Sequence, residues 1–198
     1  TFLKPRNFYG STALKPTSSD ASKDVFRVGN VVALYGAPIM YNQPDTTTIT
    51  IGNTEILVSV YAPKKRVQSA FLAQHFTKLL QATTQYLGGR LPVDRYAFIL
   101  YFNSEQAPFT MPGALEHNTS SFYSLPEMPQ QQFIGQLMDI AAHEFFHIVT
   151  PLNVSSREVK QFNYSEPVLS RHLWLYEGST EYASDHVQVK YGLNTVQQ

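Results

Sequence analysis

The spacing of hydrophobic and polar residues predicts short strands in the first third of the chain. β-Prone runs at residues 31–35, 46–51 and 56–61 are separated by Gly, Pro and Asn, which is the pattern of strands joined by turns. Residues 1–23 are rich in Ser, Thr, Pro and Lys and have little periodicity, so we expect an irregular arm there. The chain is therefore expected to open with a small β region.

Longer apolar patterns follow. Helical spacing begins at Ser69, whose hydroxyl can cap the free amides of a helix, and ends at the glycine pair at residues 88–89. A continuous apolar run at residues 96–102 predicts a buried strand. A further strand is expected at residues 113–117.

Two more helices are predicted in the second half. One runs from about residue 130 to residue 150, and Pro151 forces its end because proline cannot continue a helix. Its apolar face carries Phe133, Leu137, Ile140, Ala141, Phe145 and Ile148. The other runs from Arg171 to about Tyr191, with Gly192 as its stop signal.

Residues 143–147, His-Glu-Phe-Phe-His, match the H-E-x-x-H pattern well inside the predicted helix over 130–150. Residues four apart lie one turn above each other on a helix, so His143 and His147 can point at one ion. Zinc accepts such nitrogen ligands at about 2.0 to 2.1 Å and leaves tetrahedral positions for a third ligand and a water. Glu144 is offset from the two histidines, so we expect it to act on that water as the general base.

The last predicted helix offers two candidates for the third ligand. Glu177 is the better one, because it lies near the start of an aromatic-rich helix that must pack against the helix of the first motif, and Gly178 permits a close backbone approach. Glu181, one turn further on, can accept a hydrogen bond from the outer nitrogen of a ligating histidine. On the sequence alone, the two roles can be exchanged.

Composition limits the alternatives. With 43% hydrophobic, 13% aromatic and 15% charged residues, the chain has enough apolar surface to fold as a globular protein. The 15 Lys and Arg residues balance the 15 Asp and Glu residues without a basic cluster, so nucleic acid is a poor candidate partner. The chain has no cysteine, so any metal must bind to His, Asp or Glu. No apolar run is long enough for a transmembrane segment.

Three segments together resemble the gluzincin metallopeptidases. Residues 142–147 and 173–178, Ala-His-Glu-Phe-Phe-His and Leu-Trp-Leu-Tyr-Glu-Gly, look like the paired zinc motifs of that group. The Phe-Phe pair and the long gap between the motifs resemble the glycyl aminopeptidase family. Residues 113–117, Gly-Ala-Leu-Glu-His, are similar to that family's G-x-L-E-H segment. Three motifs in the expected order are more specific than one.

The resemblance implies an α+β fold with a thermolysin-like zincin catalytic domain, in which a mixed sheet packs on the zinc-site helix and further helices follow. Residues 1–62 are expected to form an N-terminal arm and the end of a β-rich domain, and residues 63–198 the catalytic domain. Members of the family continue further, so we expect this domain to be truncated at its C-terminus and to adjoin a C-terminal domain outside this chain. The family favours a periplasmic, cell-envelope or secreted location.

The resemblance also implies zinc-dependent hydrolysis of a peptide or protein substrate, with aminopeptidase action favoured over endopeptidase action. Glu116 would hold the free amino group of the substrate, beside Gly113 and Ala114. Gluzincins use a Tyr or His after the third ligand to stabilise the oxyanion, and Tyr182 and Tyr191 are available for this role.

Two other classes of function stay open on the sequence. A domain can bind zinc and be catalytically silent if its oxyanion donor or cleft wall is absent. Alternatively, the histidines are packing residues of an interaction domain whose aromatic surface binds partners. A bound metal in the purified protein would exclude the interaction domain. Turnover would then separate a peptidase from a silent zinc-binding domain.

Overall fold

The computed structural model describes residues 1–43, 45–104 and 112–195. The first elements are β1 (Phe2–Leu3), β2 (Tyr9–Ser11), β3 (Pro16–Ser19), β4 (Lys23–Phe26), α1 (Val31–Tyr35) and β5 (Met40–Asn42). They are followed by β6 (Thr46–Ile51), β7 (Thr54–Tyr61), α2 (Ser69–Tyr86), β8 (Arg95–Asn103), β9 (Gly113–His117), β10 (Ser120–Pro126), α3 (Gln130–Phe146), α4 (Arg157–Lys160) and α5 (Leu173–Lys190). Within the described ranges, none of these helices combines the length and apolar character needed to cross a membrane.

The last five strands form a mixed sheet in the order β6-β7-β8-β10-β9. Its three inner strands run parallel, whereas β6 and β9 run antiparallel at the two edges. Residues 96–100 of β8 are fully buried, as expected for a central parallel strand. The strands predicted at residues 96–102 and 113–117 are confirmed as β8 and β9. The mixed sheet with helices, predicted from the sequence, is also confirmed.

α2 and α3 cover one face of this sheet. The rings of Phe76 in α2 and Phe145 in α3 lie 4.4 and 6.2 Å from that of Phe98 in β8. At the start of α3, Phe133 lies 5.6 Å from Phe102. These rings form the centre of the main core, and truncating a buried phenylalanine typically costs about 3 to 5 kcal/mol of stability. The position of α3 on the sheet is therefore well fixed.

The amino-terminal elements cover the opposite face, where Ala13 and Met40 pack against Leu57, Ala97 and Ile99. The irregular arm predicted at residues 1–23 is therefore wrong, because these residues contribute β1, β2, β3 and the start of β4. Polar strands of two to four residues lack hydrophobic alternation, so periodicity does not detect them.

The strand predicted at residues 31–35 is also wrong, since these residues form the short helix α1. The Asn30 side chain accepts a hydrogen bond from the Ala33 amide at 2.8 Å and caps this helix. No side chain of α1 is buried, so its two valines gain nothing from the packing that favours them in strands. The strands predicted at residues 46–51 and 56–61 are confirmed as β6 and most of β7.

α2 confirms the first long helix that was predicted, but its first turn is capped by a different residue than expected. Gly88 and Gly89 follow it with φ angles of 89° and 98°, a conformation that glycine adopts readily. Ser69 is the first helical residue, and its amide and hydroxyl donate to the Asp45 carboxylate at 3.3 and 2.7 Å. The capping role predicted for Ser69 is therefore wrong, because Asp45 accepts from the helix start instead.

α3 ends at Phe146, so the helix predicted to residue 150 is too long. The chain continues in a tighter turn, in which the Val149 amide donates to the Phe146 carbonyl at 2.9 Å. The H-E-x-x-H pattern thus lies at the end of α3 and not well inside it. α5 agrees with the last predicted helix, and Gly192 follows it with a φ angle of 69°.

Strand pairing crosses the domain boundary predicted at residue 62. β6 pairs with β7, and β7 pairs with β8 over residues 55–61. The sheet therefore contains strands from both sides of that boundary.

A buried carboxylate joins the end of the sheet to the loop before α2. Glu127 is fully buried, and its two oxygens accept hydrogen bonds from the Lys64 and Arg66 amides at 2.8 and 2.9 Å. Its own amide donates to the Asn103 carbonyl at 3.0 Å. One side chain thus holds the loop after β7 against the ends of β8 and β10.

Glu127→Ala is expected to lower the free energy of unfolding by roughly 3 kcal/mol, because hydrogen bonds to a charged group are worth about 1.5 to 3 kcal/mol each. Glu127→Gln keeps one acceptor oxygen and should lose less. Urea unfolding followed by circular dichroism measures both changes, with Glu166→Gln on the exposed surface as the control. An alanine variant as stable as the wild type would contradict this role.

Candidate metal centre

The end of α3 presents two histidines on one face. His147 is the C-cap residue and keeps helical φ and ψ angles of −60° and −17°, one turn after His143. The ring centroids are 4.8 Å apart, and the two Nε2 atoms are 3.1 Å apart. The motif spacing thus directs both imidazoles to one point.

Aromatic residues hold this end of α3 against its neighbours. The Phe145 ring lies 4.7 Å from Tyr96 in β8, and the Phe146 ring makes an edge contact with Tyr86 in α2 at 5.8 Å. The buried Tyr96 hydroxyl also donates to the Glu144 carbonyl at 3.4 Å. These contacts fix the rotation of α3 about its axis.

Glu177 on α5 completes a group of three residues, here called the His-Glu group: His143, His147 and Glu177. The Glu177 Oε2 atom lies 3.1 Å from His143 Nε2 and 3.7 Å from His147 Nε2. Ligands at about 2.0 to 2.1 Å from a tetrahedral metal ion lie about 3.4 Å from each other, which is within this range. The His-Glu group can therefore hold a metal ion.

The partners of the outer ring nitrogens assign the tautomer that each histidine adopts as a neutral ring. His143 Nδ1 lies 2.7 Å from the Glu181 carboxylate, and His147 Nδ1 lies 2.8 Å from the Thr150 carbonyl. Both partners are acceptors, so each Nδ1 donates and each Nε2 of a neutral ring presents a lone pair to Glu177. Three acceptor atoms that face one another repel unless a cation lies between them. This arrangement favours a bound metal ion.

The two glutamates of α5 occupy different positions. Glu177 faces both Nε2 atoms, whereas Glu181 accepts from the outer nitrogen of His143. The geometry thus favours Glu177 over Glu181 as the ligand, and the exchange that the sequence left open is not favoured.

The outer partner of His147 has no counterpart among the sequence predictions. It is the backbone carbonyl of Thr150, and the Thr180 hydroxyl lies 3.3 Å from the same oxygen. A backbone acceptor is independent of residue type, so no motif reports it. The sequence signal that could have indicated a role for Thr180 is its position three residues after Glu177, which makes the two residues neighbours on α5.

Glu144 lies beside the His-Glu group with its side chain turned inward. It is 8% exposed, and its Oε2 has no hydrogen-bond partner among the described residues. Burial is the main cause that raises the pKa of Glu144 to about 7, with a further increase from the Glu116 carboxylate and an opposing effect of His143. Such a carboxylate can accept a proton near neutral pH and return it.

β9 brings Glu116 to the same place. One carboxylate oxygen of Glu116, one of Glu144 and a ring nitrogen of His147 lie within 4.8 Å of one another. Gly113 and Ala114 lie roughly 7 to 10 Å away along the strand at the usual rise per residue. Ala114 packs partly against the core, and Gly113 is exposed. Of the three substrate-binding residues predicted, Glu116 is the one whose side chain lies close to Glu144 and His147.

The two tyrosines considered as oxyanion donors have other contacts. Tyr182 is 66% exposed, and its ring lies 5.4 Å from that of His186. Tyr191 packs against the main core after the end of α5. Neither contact directs these rings to the His-Glu group.

A cavity of about 200 Å³ opens beside His143 and Glu144. Its wall is completed by Asp139, Ile140, Glu181, Ser184 and Asp185. Two larger cavities, of about 700 and 900 Å³, lie at the start of β8 and beside Tyr61 and Tyr101, and their walls do not include the His-Glu group. The chemistry of the side chains therefore identifies the site better than cavity size does.

Comparison with known families supports the reading of this region. The family model of the M61 glycyl aminopeptidases matches residues 136–198, which include the end of α3 and all of α5. β9 with Glu116 lies outside this match. The resemblance to the glycyl aminopeptidase family, predicted from the motifs, is confirmed. No curated protein sequence matches the chain significantly.

Among solved structures, 44 chains match this one. One is the crystal structure of an aminopeptidase N family protein from Idiomarina loihiensis, with a TM-score of 0.76 and 18% sequence identity. The match covers 96% of this chain and 32% of that protein, so the chain spans about a third of its length. At this identity the likeness concerns the fold alone.

Glu177→Ala is expected to remove most of the bound metal, because it eliminates one of three protein ligands. Glu181→Ala keeps all three and should weaken metal binding by about 10- to 100-fold, the usual cost of losing an outer partner. Elemental analysis of protein purified without chelator measures the first change, and competition with a chelator measures the second. Retention of metal by Glu177→Ala together with its loss from Glu181→Ala would mean that the two roles are exchanged.

Proposed function

We propose that this chain carries the zinc site and general base of a metallopeptidase with a thermolysin-like catalytic domain, and that it acts as an aminopeptidase. The observation that carries the proposal is the convergence of three acceptor atoms in the His-Glu group beside the buried Oε2 of Glu144, which has no hydrogen-bond partner in the described part of the chain. The M61 family match over the same helices supports it. The unit that holds the site includes the whole five-stranded sheet, because β6 and β7 pair with its other strands.

Zinc is the metal that best fits the donor set. Two imidazole nitrogens and one carboxylate, with a further position open, form a catalytic zinc site, whereas magnesium and calcium prefer oxygen ligands. When bound there, zinc lowers the pKa of a coordinated water towards about 7 and polarises the scissile carbonyl.

Glu144 serves as the general base. Its Oε2 is buried without a partner in residues 1–43, 45–104 and 112–195, and it accepts the proton of the attacking water. The same carboxyl then delivers that proton to the nitrogen of the peptide bond as the C–N bond breaks, so the amine leaves uncharged. The packing of Phe145 and the hydrogen bond from Tyr96 hold the helix that carries this carboxylate.

Glu144→Gln is expected to retain zinc and to lower kcat by about two to four orders of magnitude, because glutamine keeps the shape of the side chain but cannot accept the proton. Hydrolysis of glycyl and alanyl amides, with zinc content measured in parallel, provides the test, and Glu166→Gln is the control for a surface glutamate.

Turnover of Glu144→Gln near the wild-type rate would refute this mechanism. Zinc in a wild-type protein that shows no chelator-sensitive turnover would support the catalytically silent zinc-binding domain instead. A wild-type protein without zinc would support the interaction domain.

Glu116 gives the proposed site its preference for a free amino terminus. β9 is an edge strand, and no strand among the described residues pairs with its outer side, so an extended peptide can lie beside it. The carboxylates of Glu116 and Glu144 lie close together, and a protonated amine near them would offset their repulsion. The first residue of the substrate would then lie at the metal, which is aminopeptidase action.

Glu116→Gln is expected to lower kcat/KM by about 10- to 100-fold for substrates with a free amino group, because an ion pair becomes a hydrogen bond between the charged amine and a neutral amide. Peptides with an acetylated amino terminus should lose far less. The ratio of the two rates is the measurement, and His117→Gln on the same strand is the control. Equal losses for free and acetylated substrates would contradict the role of Glu116 in binding the amine.

A further inference from the structure

Two threonines form a hydrogen-bonded pair behind His147. Thr150 lies three residues after it, and Thr180 lies on α5 with 1% of its surface exposed. The Thr180 Oγ1 atom lies 3.3 Å from the Thr150 carbonyl oxygen and 3.2 Å from the Thr150 hydroxyl. It also lies 3.5 Å from His147 Nδ1. Three polar groups thus meet behind the imidazole, where His147 and Thr180 are buried and Thr150 is partly exposed.

The direction of these hydrogen bonds follows from the groups themselves. A carbonyl oxygen only accepts, so the Thr150 carbonyl receives the Nδ1–H group of His147 at 2.8 Å and the hydroxyl of Thr180. The amide of Val154, which would reach this carbonyl in a continued helix, donates to Val149 at 3.0 Å instead. The carbonyl is therefore available to both donors, which hold it between α5 and the imidazole.

We propose that Thr180 is a positioning residue for His147 and acts through the Thr150 carbonyl. Its hydroxyl holds the acceptor that fixes the tautomer and the ring orientation of His147, so that Nε2 points into the His-Glu group. The proposal rests on the proposed function, since the orientation matters because a metal binds there.

The placement of residues on α5 supports this role. Thr180 and Glu181 lie three and four residues after Glu177, so each is a neighbour of Glu177 on the face of α5 that is turned to the histidines. Glu181 accepts from the outer nitrogen of His143, and Thr180 supports the acceptor of His147. One face of α5 thus supplies the third ligand and supports both histidines.

Thr180→Val and Thr180→Ser separate the hydroxyl from the shape of the side chain, because valine has nearly the volume of threonine and cannot donate. Zinc affinity, measured by competition with a chelator, is expected to fall about tenfold in Thr180→Val and to stay near the wild-type value in Thr180→Ser. Thr83→Val is the matched control, since Thr83 is a buried residue of α2 whose hydroxyl donates to the Leu79 carbonyl at 2.9 Å.

A second readout depends neither on metal nor on activity. Nitrogen NMR of the imidazoles in the metal-free wild type should show His147 with its proton on Nδ1. Thr180→Val should increase the share of the other tautomer or broaden this signal, and Thr180→Ser should restore the wild-type spectrum. A threonine that only fills space would change neither.

A Thr180→Val protein with wild-type zinc affinity and wild-type His147 tautomer would overturn the proposal. If thermal unfolding of the metal-free protein shows that this variant does not fold, Thr180→Ala replaces it, because alanine removes the hydroxyl without adding a methyl group. Its zinc affinity and His147 tautomer are then compared with those of the wild type. A wild-type protein that binds no zinc would overturn the proposed function, and the tautomer measurement would then still test the role of Thr180.

Discussion

The packing of Phe145 against β8 is the contact on which the site depends. Residues two apart on a helix point about 200° away from each other, so burying Phe145 against Tyr96 turns both His143 and His147 away from the sheet and towards α5. Glu144 lies between His143 and Phe145 in the sequence, so its side chain points sideways, towards β9. The hydrophobic core therefore sets the direction of the polar chemistry, and a shift of this one ring would misdirect every group of the motif.

The second constraint is electrostatic. Four carboxylates, those of Glu116, Glu144, Glu177 and Glu181, lie around two histidines whose outer nitrogens already donate. Such a concentration of acceptors destabilises the metal-free site, and the repulsion favours the binding of cations. A divalent metal in the His-Glu group and a protonated amine near Glu116 would relieve it at two separate places. The same excess of acceptor atoms thus supports both the proposed metal and the proposed preference for a free amino terminus.

The sequence predicted those parts of the structure that require particular types of residue at particular spacings. α2, α3, β7 and β8 bury many apolar side chains, so their apolar pattern is easy to recognise. The motif is recognisable because metal chemistry requires histidine and glutamate at helical spacing. The first 35 residues form short strands and an exposed one-turn helix, where a single side chain such as Asn30 decides the local structure. The role of the Thr150 carbonyl depends on where α3 ends, and the stop signal of Pro151 placed that end four residues too late.

The two histidines have different outer partners because they differ in burial. The Glu181 side chain is 63% exposed, so a carboxylate beside His143 keeps much of its hydration. His147 is 2% exposed, and a second carboxylate there would lose its water and add negative charge to a site that already has an excess. A neutral carbonyl supported by a neutral hydroxyl gives the same tautomer without that cost. The end of α3 at Phe146 makes this possible, because only a chain that leaves the helix can turn the carbonyl of Thr150 back towards the imidazole three residues before it.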